Sequence, residues 1–232
     1  MSVADFELEV FRHLFASVAE EMGVTVQRSA YSPNIKERRD YSCAVFDREG
    51  RMVAQAAHVP VHLGSMPMSV RAAISFYDEC APRPGDVIIV NDPYLGGTHL
   101  PDIAVVMPVF YNGRPIAISA AMTHHQDVGG MSPGSVPPNA REIYQEGIRI
   151  PPLKLREGNI FNDTLLQMLQ LNVRVPQVFM GDLSAQISAC TIGSRRMTEL
   201  ADRYGHIQIQ NIFEDLLDRS EQLTRKALSE MP

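Results

Sequence analysis

Histidine and aspartate side chains gather in two segments near the middle of the sequence. His99 and Asp102 are three residues apart in a Gly/Pro-rich segment, and His124, His125 and Asp127 follow the next two apolar runs. Imidazole nitrogens and carboxylate oxygens together suit Zn²⁺, Mn²⁺ or Fe²⁺. The residue types therefore predict a divalent-metal site; the alternative is that these histidines cap loops by hydrogen bonding to backbone carbonyls.

The apolar run that leads to His124 bears on which histidine joins such a site. In a strand over 116–124, successive side chains point to opposite faces, so His124 and His125 are expected to point in opposite directions. One of them can bind the metal, and the other is then expected to support the ligands or to act in catalysis. His125 and Asp127 are accordingly predicted to relay protons as general base and general acid.

A charged segment, Glu37-Arg38-Arg39-Asp40, precedes another apolar run. Runs of this kind are ordinarily solvated turns. In the functional interpretation, Asp40 adds an oxygen ligand to the metal, and Arg39 holds a carboxylate or phosphate of the substrate.

Two further histidines, His58 and His62, flank a Pro-Val pair. Their spacing would suit metal binding on a helix, but Pro60 argues against a helix there. They are therefore interpreted as packing or hydrogen-bonding residues at the edge of the pocket. Cys43 lies in an apolar run and is interpreted as a small buried strand residue rather than a nucleophile.

Hydrophobic spacing predicts the elements that must position these side chains. Apolar residues at every fourth position from Phe6 to Met22 predict an N-terminal helix that ends near Gly23, and Ser65 is the expected cap of a second helix. Short apolar runs predict strands at 43–46 and 52–55 (a hairpin), at 86–90, and at 103–111 and 116–122 (a hairpin through Asn112-Gly113).

Helical spacing dominates the remaining sequence, at 161–171, 178–204 and 207–228. The order of helix, strands and helices predicts an α+β fold, with a mixed β-sheet core, an N-terminal helix and a helical C-terminal part. We expect a metal-binding α+β domain over residues 1–160 and a helical segment over residues 161–232 that packs on it.

Composition excludes several classes of protein. The 232 residues are 45% hydrophobic and 21% charged, with a net charge of −6, which is typical of a globular protein without a basic surface for nucleic acid. Cys43, Cys80 and Cys190 form no CxxC pair, which argues against a zinc ribbon and suits a reducing compartment. The N-terminus does not resemble a signal peptide, and no apolar run reaches about 18 residues, so we expect a cytoplasmic protein without a membrane span.

Four segments of the sequence resemble the N-terminal region of the hydantoinase B/oxoprolinase family. They are SPNIKERRDYSCAVFDREGRMVAQAAHVPVHLGSMPMSV, GDVIIVNDPYLGGTHLPDIAVVMPVF, HHQDVGGMSPGSVP and EGIRIPPLKL. The resemblance implies a B-type subunit that opens a cyclic amide, such as a hydantoin, 5-oxoproline or a lactam. It also implies a hetero-oligomer, in which a hydantoinase A-type partner subunit binds ATP and is thought to phosphorylate the substrate carbonyl.

The same resemblance implies a ligand set for the divalent metal ion, which would be Zn, Mn or Fe. By motif match, the ligands are His99, Asp102 and His124, and Asp40 is the expected fourth ligand.

Two other functions fit the same residues. An α-like subunit of an ATP-dependent ketone carboxylase would share these ligands. Because family members are usually more than twice this length, the chain would also be consistent with a shortened, non-catalytic docking domain for an A-type partner.

Overall fold

The computed structural model describes residues 5–76 and 82–231, so Cys80 lies outside the described residues. Within them, the helices are α1 (Asp5–Ser29), α2 (Pro33–Lys36), α3 (Pro60–Ser75), α4 (Asp163–Asn172), α5 (Pro176–Tyr204) and α6 (His206–Ser229). The strands are β1 (Tyr41–Phe46), β2 (Met52–Gln55), β3 (Val87–Val90), β4 (Asp102–Tyr111), β5 (Arg114–His124), β6 (Leu153–Glu157) and β7 (Ile160–Phe161). Short 3₁₀ turns occupy Pro93–Leu95 and Ile143–Gln145.

These strands form one seven-stranded sheet in the order β2-β1-β5-β4-β3-β6-β7, and every pairing between them is antiparallel. The predicted α+β class is confirmed, with its N-terminal helix and helical C-terminal part. Within the described residues, none of the helices combines the length and hydrophobicity that crossing a bilayer requires.

The hairpin of β4 and β5 forms the centre of the sheet. Its two-residue turn, Asn112-Gly113, has φ values of 49° and 74°, the left-handed backbone that Asn-Gly turns favour. Its register places Asp102, the first residue of β4, opposite His124, the last residue of β5. The two predicted ligands are therefore cross-strand neighbours.

Both faces of the sheet are covered. Odd-numbered residues such as Val105 and Ala121 pack in a large core with α1, α5 and α6. Even-numbered residues such as Ala104 and Ala120 pack in a smaller core with α3. Because Asp102 and His124 are also even-numbered, they share the face that α3 covers.

Two predicted helix boundaries are wrong. Helix α1 does not end near Gly23, which is buried inside it; a Cβ atom there would lie 2.6 Å from the His58 ring. The absence of a side chain at Gly23 therefore allows the His58 ring to approach the helix, and the glycine does not mark the end of α1. Helix α3 begins at Pro60 and not after Ser65, because proline is tolerated in the first turn of a helix, where its missing N–H has no partner to lose.

Helix α5 approaches the sheet closely at Gly193. A Cβ atom there would lie 2.5 Å from Sδ of Met22 and 3.0 Å from Cβ of Ser119. The Ser119 hydroxyl donates a hydrogen bond of 2.9 Å to the carbonyl oxygen of Cys190, one turn away on the same helix. Helix α5 is thus held against β5 with no space for a larger side chain.

We expect Gly193→Leu to lower the free energy of unfolding by about 1–3 kcal/mol, because the added side chain must push Met22 and Ser119 away. Gly64→Ala is the control: it lies in helix α3 with nothing within 4 Å of its Cβ position, and should raise that free energy by up to about 1 kcal/mol. Urea unfolding measures both, and equal stability of the two variants would contradict the packing described.

Candidate metal centre

His99, Asp102 and His124 converge at one end of the sheet, on the face that α3 covers. One potential ligand atom from each lies within 4.8 Å of the others. Oδ1 of Asp102 is 3.0 Å from Nε2 of His99 and 3.0 Å from Nδ1 of His124, and these two nitrogens are 3.1 Å apart.

This arrangement fits a divalent metal ion. Metal–ligand bonds of about 2.0–2.2 Å leave neighbouring ligand atoms roughly 3–3.5 Å apart. The donor atoms already stand at that separation, and two imidazoles with one carboxylate suit Zn²⁺, Mn²⁺ or Fe²⁺. The residues thus meet the geometric requirement for a metal site.

Local backbone structure sets the position of each donor. Asp102 and His124 are paired across β4 and β5. The Asp102 N–H donates a hydrogen bond of 3.0 Å to the carbonyl oxygen of His99, which closes a tight turn and brings the His99 ring back over the carboxylate. The three-residue spacing that the sequence displays is therefore the spacing of this turn.

Asp102 is the buried centre of the cluster, with only 2% of its surface exposed. Its second oxygen, Oδ2, lies 3.2 Å from Nε2 of His62 and accepts a hydrogen bond from the Thr98 hydroxyl. Burial alone would raise the pKa of Asp102, but hydrogen bonds from His124, His62 and His99 outweigh it and hold that pKa well below its usual range. Asp102 is therefore ionised, and its Oδ1 faces the two candidate histidine ligands.

His62, interpreted from the sequence as a packing or hydrogen-bonding residue, contacts the central carboxylate of the cluster. It is 2% exposed, its Nε2 contacts Asp102, and its Nδ1 lies 3.4 Å from the Ser42 hydroxyl. Its role as a hydrogen-bonding residue agrees with that interpretation. The helix around it was not expected, because Pro60 was taken to exclude a helix. Helix α3 in fact begins at Pro60, and His62 lies on its buried side. Because proline is common in the first turn of a helix, Pro60 could have indicated that His62 lies in a helix.

Asp40 lies beside the cluster and not among the three converging donors. Its carbonyl oxygen accepts a hydrogen bond of 3.0 Å from the His124 N–H, and its Oδ1 lies 3.7 Å from Nε2 of His62. Its side chain is 36% exposed. The neighbouring Arg39 is exposed and has a φ of 57°. Both roles predicted for this segment stay predictions.

His125 points away from the cluster, to the face that α5 covers. Its Nε2 is 2.9 Å from Oε1 of Gln186, and its ring packs 4.8 Å from that of Phe179. Complete burial lowers the pKa of His125. The opposite orientation of His124 and His125 agrees with strand alternation, and it separates His125 from the candidate ligands.

Asp127 is also outside the cluster, because it organises the loop that follows β5. Its carboxylate accepts hydrogen bonds from the N–H groups of Gly129, Gly134 and Arg174, and forms an ion pair of 2.9 Å with the Arg174 guanidinium. Burial would raise the pKa of Asp127, but these bonds outweigh it and lower that pKa. The structure gives this carboxylate a loop-holding position and no contact with the candidate ligands.

The position of Asp127 predicts a pH-dependent loss of stability in Asp127→Asn. At neutral pH the free energy of unfolding of the variant should be about 2 kcal/mol lower than that of the parent, because hydrogen bonds to a charged group are lost. Since the native pKa is lowered, the native carboxylate stabilises the fold above its unfolded pKa of about 3.9. The difference should shrink as pH falls below that value through the native pKa.

Urea unfolding of both proteins from pH 7 to pH 2.5 measures this difference. The exposed Asp218→Asn is the control and should match the parent at every pH. A constant deficit of Asp127→Asn across the range would contradict the ionic contribution.

The contact between His62 and Asp102 predicts that His62→Ala weakens divalent-metal binding about 10–100-fold, the usual effect of removing a group that orients a ligand. His62→Gln keeps an N–H donor and should recover part of that loss. Competition with a chromogenic chelator measures the affinity, and circular dichroism checks the fold. Parental affinity in a folded His62→Ala protein would show that Oδ2 needs no donor from α3.

Comparison with known proteins finds several similar chains in other organisms. It is 42% identical over 226 residues to an uncharacterised protein of Methanocaldococcus jannaschii, which covers 97% of this chain and 40% of that protein. It is 39% identical to 5-oxoprolinase 1 of Arabidopsis thaliana, over 98% of this chain and 19% of that protein. It is 35% identical to the caprolactamase subunit beta of Pseudomonas jessenii, over 100% of this chain and 40% of that protein.

Solved structures show the same fold. The crystal structure of the ATP-dependent caprolactamase from Pseudomonas jessenii matches with a TM-score of 0.93 at 35% identity, over 100% of this chain and 40% of that chain. A nucleotide-free acetone carboxylase matches with a TM-score of 0.84 at 20% identity, over 92% of this chain and 28% of that chain, and at that identity it shows the fold alone.

The chain spans at most 40% of the length of these relatives. Residues 4–232, nearly the whole chain, match the Hydantoinase B/oxoprolinase family. The resemblance predicted from the sequence is therefore confirmed, and the chain belongs to this family.

Proposed function

We propose that this chain supplies the metal-binding part of an ATP-dependent enzyme that opens cyclic amides. The observation that carries the proposal is the convergence of His99, Asp102 and His124 at one end of the sheet. The names of two relatives, a caprolactamase subunit and a 5-oxoprolinase, support lactam-type substrates. We further propose that it works in a hetero-oligomer with an A-type subunit that binds ATP.

Resonance makes an amide carbonyl a poor electrophile, so ring opening needs activation. A divalent ion held by these three side chains would supply Lewis-acid chemistry that polarises a carbonyl oxygen and lowers the pKa of water. ATP used by the partner subunit would supply the second activation, by phosphorylating that oxygen.

The residues of this chain prepare such a site before any ligand arrives. His62 and Thr98 hold Oδ2 of Asp102, so Oδ1 stays directed at His99 and His124. Asp102 is excluded from solvent, whereas the His99 side chain is 40% exposed. We therefore propose that a substrate approaches from the side of His99 and not through the sheet.

The remaining expected residues take different places in this proposal. Asp40, whose carboxylate is partly exposed beside His62, is the group proposed to complete the ligand set. Arg39, exposed next to it, is proposed to bind a substrate carboxylate or phosphate. We do not assign proton transfer to His125 or Asp127, because both are held by other groups away from the cluster.

Elemental analysis of the purified chain tests the metal site. We expect stoichiometric divalent metal in the parent protein and its loss in His99→Ala and Asp102→Asn. His13→Ala is the matched control, because His13 is an exposed histidine on α1. With an A-type subunit, ATP and a lactam, ring opening should follow the metal content across the four proteins.

Four outcomes would contradict the proposal. The first is stoichiometric metal in a folded His99→Ala protein, and the second is full ring opening by metal-free protein. The third is a product that forms only with bicarbonate and a ketone, which would identify a carboxylase. The fourth is tight binding of the A-type subunit without metal or turnover, which would identify a docking domain.

A further inference from the structure

We infer that Arg149 forms an anion-binding site on the loop whose backbone lies beside the turn that carries His99. Its guanidinium carbon lies 5.7 Å from the centre of the Tyr94 ring and 5.9 Å from the centre of the Tyr144 ring. Both rings are strongly exposed, at 74% and 71%. A cation placed near two aromatic rings is held in a fixed orientation while its outer edge faces solvent.

This loop lies beside the turn that carries His99 because one buried side chain binds the backbone of both segments. The amide nitrogen of Asn91 donates hydrogen bonds of 2.7 Å to the carbonyl of Leu100 and 2.9 Å to that of Ile148. Leu100 follows His99, and Ile148 precedes Arg149. Asn91, which is 1% exposed, therefore holds the backbone that precedes Arg149 beside the backbone that follows His99.

The hydrogen-bonding edge of Arg149 is open. Asp92 forms an ion pair with Arg149 in which Oδ2 lies 3.6 Å from Nε, and its Oδ1 accepts a hydrogen bond from the Tyr94 N–H. No residue in 5–76 or 82–231 accepts a hydrogen bond from the two terminal nitrogens. Those nitrogens form the fork that pairs with two oxygens of a carboxylate or a phosphoryl group.

The ligand is therefore an oxyanion. If the proposed function holds, it comes from a carboxylate on the cyclic amide or from the phosphoryl group that activates the ring, and the inference rests on the proposed function to that extent. A neutral lactam without phosphate offers neither group. Binding of the oxyanion itself needs no metal and is tested separately.

Titration of the full chain followed by ¹H–¹⁵N NMR of arginine Nε–H groups tests the inference. With chelator present and ionic strength held constant, inorganic phosphate and acetate are the two probes. We expect the chemical shift of the Arg149 Nε–H group to change saturably with phosphate, with acetate or with both. Comparing the two probes shows which oxyanion the site prefers. Affinity measured by calorimetry should fall at least tenfold in Arg149→Gln.

Arg141→Gln, an exposed arginine of the same loop, is the control and should keep the parental affinity. Loss of oxyanion binding in Arg141→Gln, unchanged affinity in Arg149→Gln, or no binding by the parent would each overturn the inference. A chain that takes up no divalent metal when metal is supplied, but still binds the probe through Arg149, would contradict only the proposed function. Tyr94→Ala should weaken binding without abolishing it, since Tyr144 still contacts the guanidinium.

Discussion

The buried charge of Asp102 is the constraint on which the rest of the site depends. A carboxylate removed from water costs several kcal/mol unless hydrogen bonds replace its hydration. Here the replacements come from three separate parts of the chain: His62 from α3, Thr98 and His99 from the preceding loop, and His124 from the neighbouring strand. Each element must therefore be correctly placed for the carboxylate to stay buried and ionised, so the fold and the site are specified together.

The register of the central hairpin determines which histidine of β5 faces Asp102. Because side chains alternate, a slip of one residue in β5 would turn His124 toward α5 and His125 toward Asp102. Two features fix the register at the far end of the strands, namely the left-handed Asn112-Gly113 turn and the irregularity between Val109 and Phe110. A turn about 30 Å from the candidate ligands, at roughly 3.4 Å per residue, thus decides which histidine can bind.

Local patterns made the strands, the main helices and the spacing of His99 and Asp102 predictable from sequence. Strand alternation also predicted that His124 and His125 would diverge. What covers each face could not be predicted, because that depends on contacts between residues far apart in sequence. His125 is buried by Phe179 and Gln186, and Asp127 is paired with Arg174, more than forty residues away by number in each case. The inward turn of His62 was missed for a different reason: a proline that can start a helix was taken to exclude one.

The two faces of the sheet differ in how tightly they are packed and in which of them carries the candidate ligands. On the α5 face, the helix packs tightly at Gly193 and His125 is completely buried. On the α3 face, the core is smaller, and the candidate ligand His99 has a side chain that is 40% exposed. A metal ion that polarises a carbonyl would have to be reachable by substrate, while the carboxylate that binds the ion would have to be shielded from water to bind it strongly. The buried Asp102 under α3 and the partly exposed His99 meet both requirements. The two residues are only three positions apart, so the tight turn between them joins a buried donor to an exposed one.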